Sequence, residues 1–267
     1  ALPATAVFLT ALLSLFIPMY KAQVKWLHVL LLMTLPLIYL MWHFNHQPTI
    51  SEDHPHPTSL SYLYDNDNQT GFYFNFDTVN SGWNADLFTQ STPVEKRNDF
   101  WNKYRKPVKN LTQLDDPIAI EEVKIAVDGS KYINGNLQVN LTLTANSNTE
   151  VLEIFTHQAL TIHRMYIEGR QTSIPTPIEL KPGNRLLHYY FNGKKQIKLM
   201  LEISDGQNLD WQIQSHSLDL LNRDIFKIPA RPSHQIPKPF IKSDNIVVVQ
   251  SFTFGFDESW PDVIGIL

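Results

Sequence analysis

"NLQVNLTLTANS", residues 136–147, is the stretch whose reading decides the fold. Leu137, Val139, Leu141 and Leu143 alternate with polar residues, a period of two that places one face in a core and the other in water. A helix would repeat near 3.6 residues, so this stretch reads as a strand. Working outward, "VLEIFTHQ", "LTIHRMYIEG", "RLLHYYFNG", "KQIKLMLEIS", "LDWQIQSHS" and "NIVVVQSFTF" continue the series downstream. Upstream, "SLSYLYD" and "TGFYFNF" flank the turn-rich "NDNQ" and read as a hairpin. "AIEEVKIAVDG" reads as a strand through Ile118, Ile120, Val123, Ile125 and Val127, with Glu121–Glu122 marking a bulge. "GWNADLFTQ" reads as a helical turn or two with Trp83 and Leu87 on one face. Short strands with turn signals at this spacing predict a mainly β chain, with an antiparallel β-sandwich over residues 59–267. The Pro-rich "FKIPARPSHQIPKPFIKSD", residues 226–244, reads as an extended connection laid over the domain surface.

The other end of the chain has a different composition. Residues 1–20, "ALPATAVFLTALLSLFIPMY", carry no charge, and residues 26–44, "WLHVLLLMTLPLIYLMWHF", are broken only by His28, Thr34 and His43. Each run has the length of a membrane-spanning helix, roughly 20 residues. Tyr20, Trp26, Tyr39 and Trp42 lie near the run ends, where aromatic rings favour the bilayer interface. The expectation is a two-helix transmembrane hairpin over residues 1–44, a linker over 45–58, and then the β-domain. Both charges of the connecting "KAQVK" are lysines, which places that turn in the cytoplasm and the β-domain on the periplasmic, luminal or extracellular side. Ala1 already lies within an apolar run, and the chain reads as the C-terminal piece of a longer protein.

Composition narrows the chemistry. A net charge of -4 over 267 residues argues against a nucleic-acid partner, and the absence of cysteine removes disulfides, thiolate nucleophiles and Cys-ligated zinc. "WHFNHQPTISEDHPHPT", residues 42–58, holds His43, His46, His54 and His56 with Glu52 and Asp53. A metal site would need three or four of these to converge. The prolines after His54 and His56 forbid helix there, so the stretch reads as a solvated tether. Glu121 and Glu122 face opposite ways if they lie in a strand, so they make no carboxylate pair. His157, His163, His188 and His216 fall in predicted strands, where a satisfied or exposed histidine is the default. No Gly-x-Ser-x-Gly, Ser-x-x-Lys or phosphate-cradling glycine loop occurs. The sequence therefore offers no catalytic, cofactor-binding or metal-binding residue in this chain. Asn68, Asn110 and Asn140 head glycan acceptor sequons.

Several of these segments also carry a family resemblance. "HPTSLSYLYDNDNQTGFYF" followed by "GWNADLFT" is similar to the start of the C-terminal region of membrane-bound M28-family metallopeptidases. That group takes in bacterial M28 aminopeptidases, vacuolar membrane proteases and the endoplasmic-reticulum metallopeptidase. Pro57, Ser59, Leu60, Tyr62, Asp65, Asp67, Trp83 and Phe88 carry the likeness, and "NLQVNLTLTANSNTEVLEIF" and "ARPSHQIPKPFIKSDNIVVVQSFTF" extend it. It departs at Leu218, Asp219, Leu220 and Leu221, where bacterial relatives typically have Gly-Leu-Pro.

The resemblance implies a parent zinc exopeptidase whose catalytic domain, with its two zinc ions, lies upstream. This chain would be its non-catalytic membrane anchor and accessory region, with the bilayer and the upstream domain as partners and no cofactor of its own. The alternative is a membrane-tethered β-sandwich that binds a ligand or protein without a peptidase partner, through surface aromatics such as Trp101, Tyr104 and Trp211.

Overall fold

The computed structural model describes residues 34–41, 51–78, 82–88, 108–146, 148–174 and 177–255. Two compact units divide the chain, Ala1–His56 and Pro57–Leu267. In the first, residues 34–41 are helical with exposed side chains. Among the described residues no helix is long and apolar enough to cross a membrane. The remainder of the expected spans at 1–20 and 26–44 lies outside the described residues.

The described residues of the second unit are mainly β, as the alternation required. Among the described residues fifteen strands follow in order: β1 (His56–Thr58), β2 (Ser61–Asp65), β3 (Thr70–Asn75), β4 (Asn110–Gln113), β5 (Lys124–Ile133), β6 (Asn136–Thr144), β7 (Val151–Thr156), β8 (Leu160–Ile167), β9 (Arg170–Gln171), β10 (Ile178–Leu180), β11 (Arg185–Tyr190), β12 (Gln196–Ser204), β13 (Leu209–Ser217), β14 (Gln235–Pro237) and β15 (Asn245–Phe254). Seven build one sheet in the order β11-β7-β13-β15-β2-β3-β4. A second sheet runs β10-β8-β12-β6-β5, with β9 on the flank of β8, and β1 pairs with β14. The expected all-antiparallel pairing needs one correction: β15 runs parallel to β2, with Val247 opposite Leu63.

Local chemistry explains the turns. Asn134 and Gly135 both take positive φ, +51° and +81°, between β5 and β6, the mirror-image turn that Asn-Gly favours in two-residue hairpins. Between β2 and β3, Asp65 Oδ1 accepts from the Asn68 backbone N–H at 3.1 Å and fixes the turn. The helical reading of "GWNADLFTQ" corresponds to a short 3-10 helix, Ala85–Phe88.

The strand expected from Ile118 begins only at Lys124. The reason is competition for the backbone. The N–H of Ile118 donates to Tyr62 Oη and its carbonyl accepts from the same hydroxyl, both at 2.9 Å. The Val123 N–H and carbonyl are likewise taken by the Gln250 carboxamide, at 2.9 Å each. Side chains of the neighbouring strands therefore substitute for a ladder over this stretch. Glu121 and Glu122 lie in it, outside any strand, and the bulge falls later, between Val127 and Gly129. Gly71 is a related constraint, because a Cβ there would run into the Tyr62 hydroxyl and the Pro117 ring.

Leu137, Val139, Leu141 and Leu143 of β6 and Ile197, Leu199, Leu201 and Ile203 of β12 pack in one core with Leu152 and Ile154 of β7 and Leu209, Trp211 and Ile213 of β13. Both large sheets thus feed a single apolar cluster. At the β2–β15 end of the seven-stranded sheet there are two further clusters. One holds Leu60, Tyr62, Tyr64, Tyr73, Ile246 and Val248 with Phe88 and Phe226; the other holds Leu63, Phe72, Phe74, Val247 and Val249. Successive residues of β2 and β15 fall in different clusters, so these strands are buried on both faces.

Candidate functional site

Three basic side chains of the Pro-rich 226–244 segment each find a carboxylate. Arg231 forks onto Asp244, with Nη1 and Nη2 each 2.6 Å from a carboxylate oxygen. This is the bidentate geometry that makes arginine–carboxylate pairs strong. Arg231 also stacks 4.8 Å above the Trp83 ring, and its Nε donates to Thr58 Oγ1 at 3.2 Å. Trp83 Nε1 donates to the Pro229 carbonyl at 3.0 Å, so the aromatic of the 3-10 turn and the arginine of the loop hold one another.

Lys238 Nζ donates to Asp77 Oδ1 at 2.8 Å and to the Phe76 carbonyl at 2.9 Å. Buried Asp77 is completed by the Ser59 N–H at 2.7 Å and the Ser59 hydroxyl at 2.9 Å. Lys242 Nζ donates to Glu153 Oε2 at 2.9 Å, on β7. The loop is thus sewn down at three points.

Glu153 is the hub of the deepest of these. It is 2% exposed, and Arg185 Nη1 of β11 donates to its Oε1 at 2.8 Å. His188 Nδ1 lies 3.9 Å from Oε1. His216 Nε2 of β13 lies 3.1 Å from Oε2, close but off the line of a straight hydrogen bond. On its other side, His216 Nδ1 lies 3.2 Å from Asn245 Nδ2. These partners place the imidazole proton on Nε2, with Nδ1 accepting from Asn245. Burial pushes the His216 pKa down to about 4, against the pull of Glu153 and with the help of the Lys242 charge. Burial works to raise the Glu153 pKa, but His216 and Lys242 overcome it and hold the carboxyl well below the usual range. At neutral pH the group is a carboxylate between two cations, with a neutral imidazole alongside. Chemically this is a clamp joining β7, β11, β13 and the loop.

The remaining histidines are dispersed. His157 Nδ1 lies 2.8 Å from Asp210 Oδ1, and His163 Nε2 lies 2.9 Å from Ser204 Oγ. His54 and His56 are exposed, as are Glu52 and Asp53, while His43 and His46 lie outside the described residues. Among the described residues no group of three His, Cys, Asp or Glu is placed to hold a metal ion. Glu121 is exposed beside Lys124, 3.6 Å away, and Glu122 accepts from Asn66 Nδ2 at 2.6 Å. Trp211, expected as a surface aromatic, is instead fully buried in the core, while Trp101 and Tyr104 lie outside the described residues.

The sequons differ in their surroundings. Asn68 Nδ2 donates to Asp65 Oδ2 at 2.9 Å, and Asn110 Nδ2 donates to Asn75 Oδ1 at 2.8 Å and the Asp77 carbonyl at 3.0 Å. Asn140 lines a cleft of about 250 Å³ with Asp128, Tyr166, Lys198 and Met200.

Sequence reasoning passed over Glu153, Asp77, Lys238 and Lys242. The available signal was a lone acid in the apolar run "VLEIF" and two lysines four apart in a Pro-rich segment. No family model, curated protein or solved structure matches the chain.

Proposed function

We propose that this chain is the non-catalytic anchor and accessory region of a membrane-bound M28-type zinc exopeptidase, an aminopeptidase whose catalytic domain lies upstream. The observation that carries the reading is a convergence. Two of the segments that carry the family likeness, around residues 57–88 and 230–254, lie far apart in sequence. They meet through Trp83 on Arg231, Lys238 on Asp77, and β2 beside β15. On this reading the apolar runs hold the enzyme in the bilayer. A β-sandwich on the extracytoplasmic side packs against or shields the peptidase. The zinc belongs to the upstream domain, and no residue of this chain joins the chemistry.

The test is to purify the protein from its native membrane through a tag on this region. Chelator-sensitive aminopeptidase activity should copurify, and the codons before Ala1 should encode a His-x-Asp and an adjacent Glu-Glu. A polypeptide without that upstream domain would refute the reading.

A second reading, a tethered ligand-binding module, is favoured by the cleft beside Asn140, where Asp128 and Lys198 flank a carboxamide. Saturation of that cleft by a small polar ligand, lost in Lys198→Ala and Asp128→Ala, would support it over the accessory role.

A further inference from the structure

Between the two sewn lysines the loop does the opposite of what water dictates. Lys238 and Lys242 turn inward to Asp77 and Glu153, while Phe240, midway between them, is 91% exposed. Its backbone sits at φ +64°, a left-handed conformation that is strained for a bulky side chain. Pro239 before it narrows the backbone further, so the ring is held out on a stiff tip rather than a floppy one. Ile236, on β14, is 42% exposed on the same short segment. The tip also has a defined address. The Lys238 N–H donates to the Thr58 carbonyl at 2.9 Å, and Arg231 reaches Thr58 Oγ1, so it hangs beside the point where the chain enters the β-domain.

We propose that Phe240, flanked by Ile236, dips into a lipid surface and sets the β-domain against the bilayer. This rests on the membrane-anchor reading above, since the lipid is the one in which the apolar runs would be held. Several features favour lipid over a protein partner. A single projecting ring with one aliphatic neighbour suits a soft apolar medium, whereas a protein interface needs a broad, complementary patch. Aromatic rings are stabilised at the bilayer interface. Both lysines of the tip are committed to internal carboxylates, so the contact does not depend on anionic headgroups. The clamps also hold the tip before contact, so little ordering entropy is lost on insertion.

The chain contains no cysteine, so Phe240→Cys gives a unique labelling site. The full chain, labelled there with an environment-sensitive fluorophore, is reconstituted in phosphatidylcholine vesicles. Lys131→Cys on exposed β5 is the control. The expected result is a blue shift and loss of emission on adding nitroxide-bearing lipid at position 240, neither at position 131, and no change when phosphatidylglycerol is mixed in. Chain retained through an alkaline carbonate wash but with a water-like signal at position 240 would overturn this inference and leave the anchor reading standing. Chain released by that wash would overturn both. A blue shift without lipid quenching would mark a protein contact and also overturn the proposal. Ile236→Cys serves as a second reporter, with the same outcomes, if the first label lowers the urea midpoint.

Discussion

The two large sheets share a core but treat charge differently. On the six-stranded sheet Glu202 of β12 is 7% exposed, and its partners come from the rim, Asn136 Nδ2 at 3.0 Å and a well-exposed Arg164 at 3.6 Å. The seven-stranded sheet is buried on both faces through β7, β13, β2 and the first six residues of β15. Its Glu153 must therefore satisfy every oxygen inside the protein. A carboxylate whose cation stands in water leaves little behind when it is removed, whereas one that holds the nearly buried Lys242 strands a charge, and the cost of losing it scales accordingly.

The sharpest way to break this comparison is Glu153→Ala. It removes the buried carboxylate that Lys242 and Arg185 share, and a loss of about 3–5 kcal/mol is expected, read from urea unfolding. Leu141→Ala, in the core common to both sheets, should cost about 3 kcal/mol by loss of transfer energy and creation of a cavity, seen as a lower urea midpoint at unchanged slope.

Acid should act selectively on the doubly buried sheet. The folded His216 pKa, about 4, lies below its ordinary 6.5, so the unfolded chain takes up the proton first. Stability is complete above pH 6.5 and falls as pH drops toward 4, by up to about 3 kcal/mol, and the depressed Glu153 pKa adds a loss in the same direction at still lower pH. Stability measured across that window should lose most of its slope in His216→Gln. A slope unchanged in the variant would assign acid sensitivity elsewhere.

Glu202→Ala should cost about 1 kcal/mol, and a loss equal to that of Glu153→Ala would erase the distinction between the sheets. The smallest expected effect has the opposite sign. Phe240→Gly should raise stability by about 1 kcal/mol, by relieving the left-handed backbone, detectable as a small rise in urea midpoint.

The same contrast explains what could be read in advance. β6 and β12 were legible because one face is wet, and the alternation of Leu137 to Leu143 reports that directly. β2 and β15 were legible as strands but not by face, since residues buried on both sides show no alternation. Glu153 drew no reading of its own, and His216 read only as a satisfied or exposed histidine in a strand. Nothing in "VLEIF" or "QSHS" announces that a lysine some ninety residues later, |i−j| = 89 for Lys242, arrives to neutralise the carboxylate. Ile118 has strand composition but lost its ladder to Tyr62, a competition settled only by tertiary contact. Trp211 shows the same limit, because an aromatic in an alternating strand does not reveal which side it takes.

The parallel pairing of β15 with β2 has a consequence for biosynthesis. Asp67 and Ser251, bonded across that seam, are 184 positions apart, so β2, which pairs with β3 as soon as both are made, waits for a strand synthesised far later before its other edge is covered. Closing so large a loop makes folding slow, and until then an unpaired greasy edge is open to capture by holding chaperones or by other nascent chains.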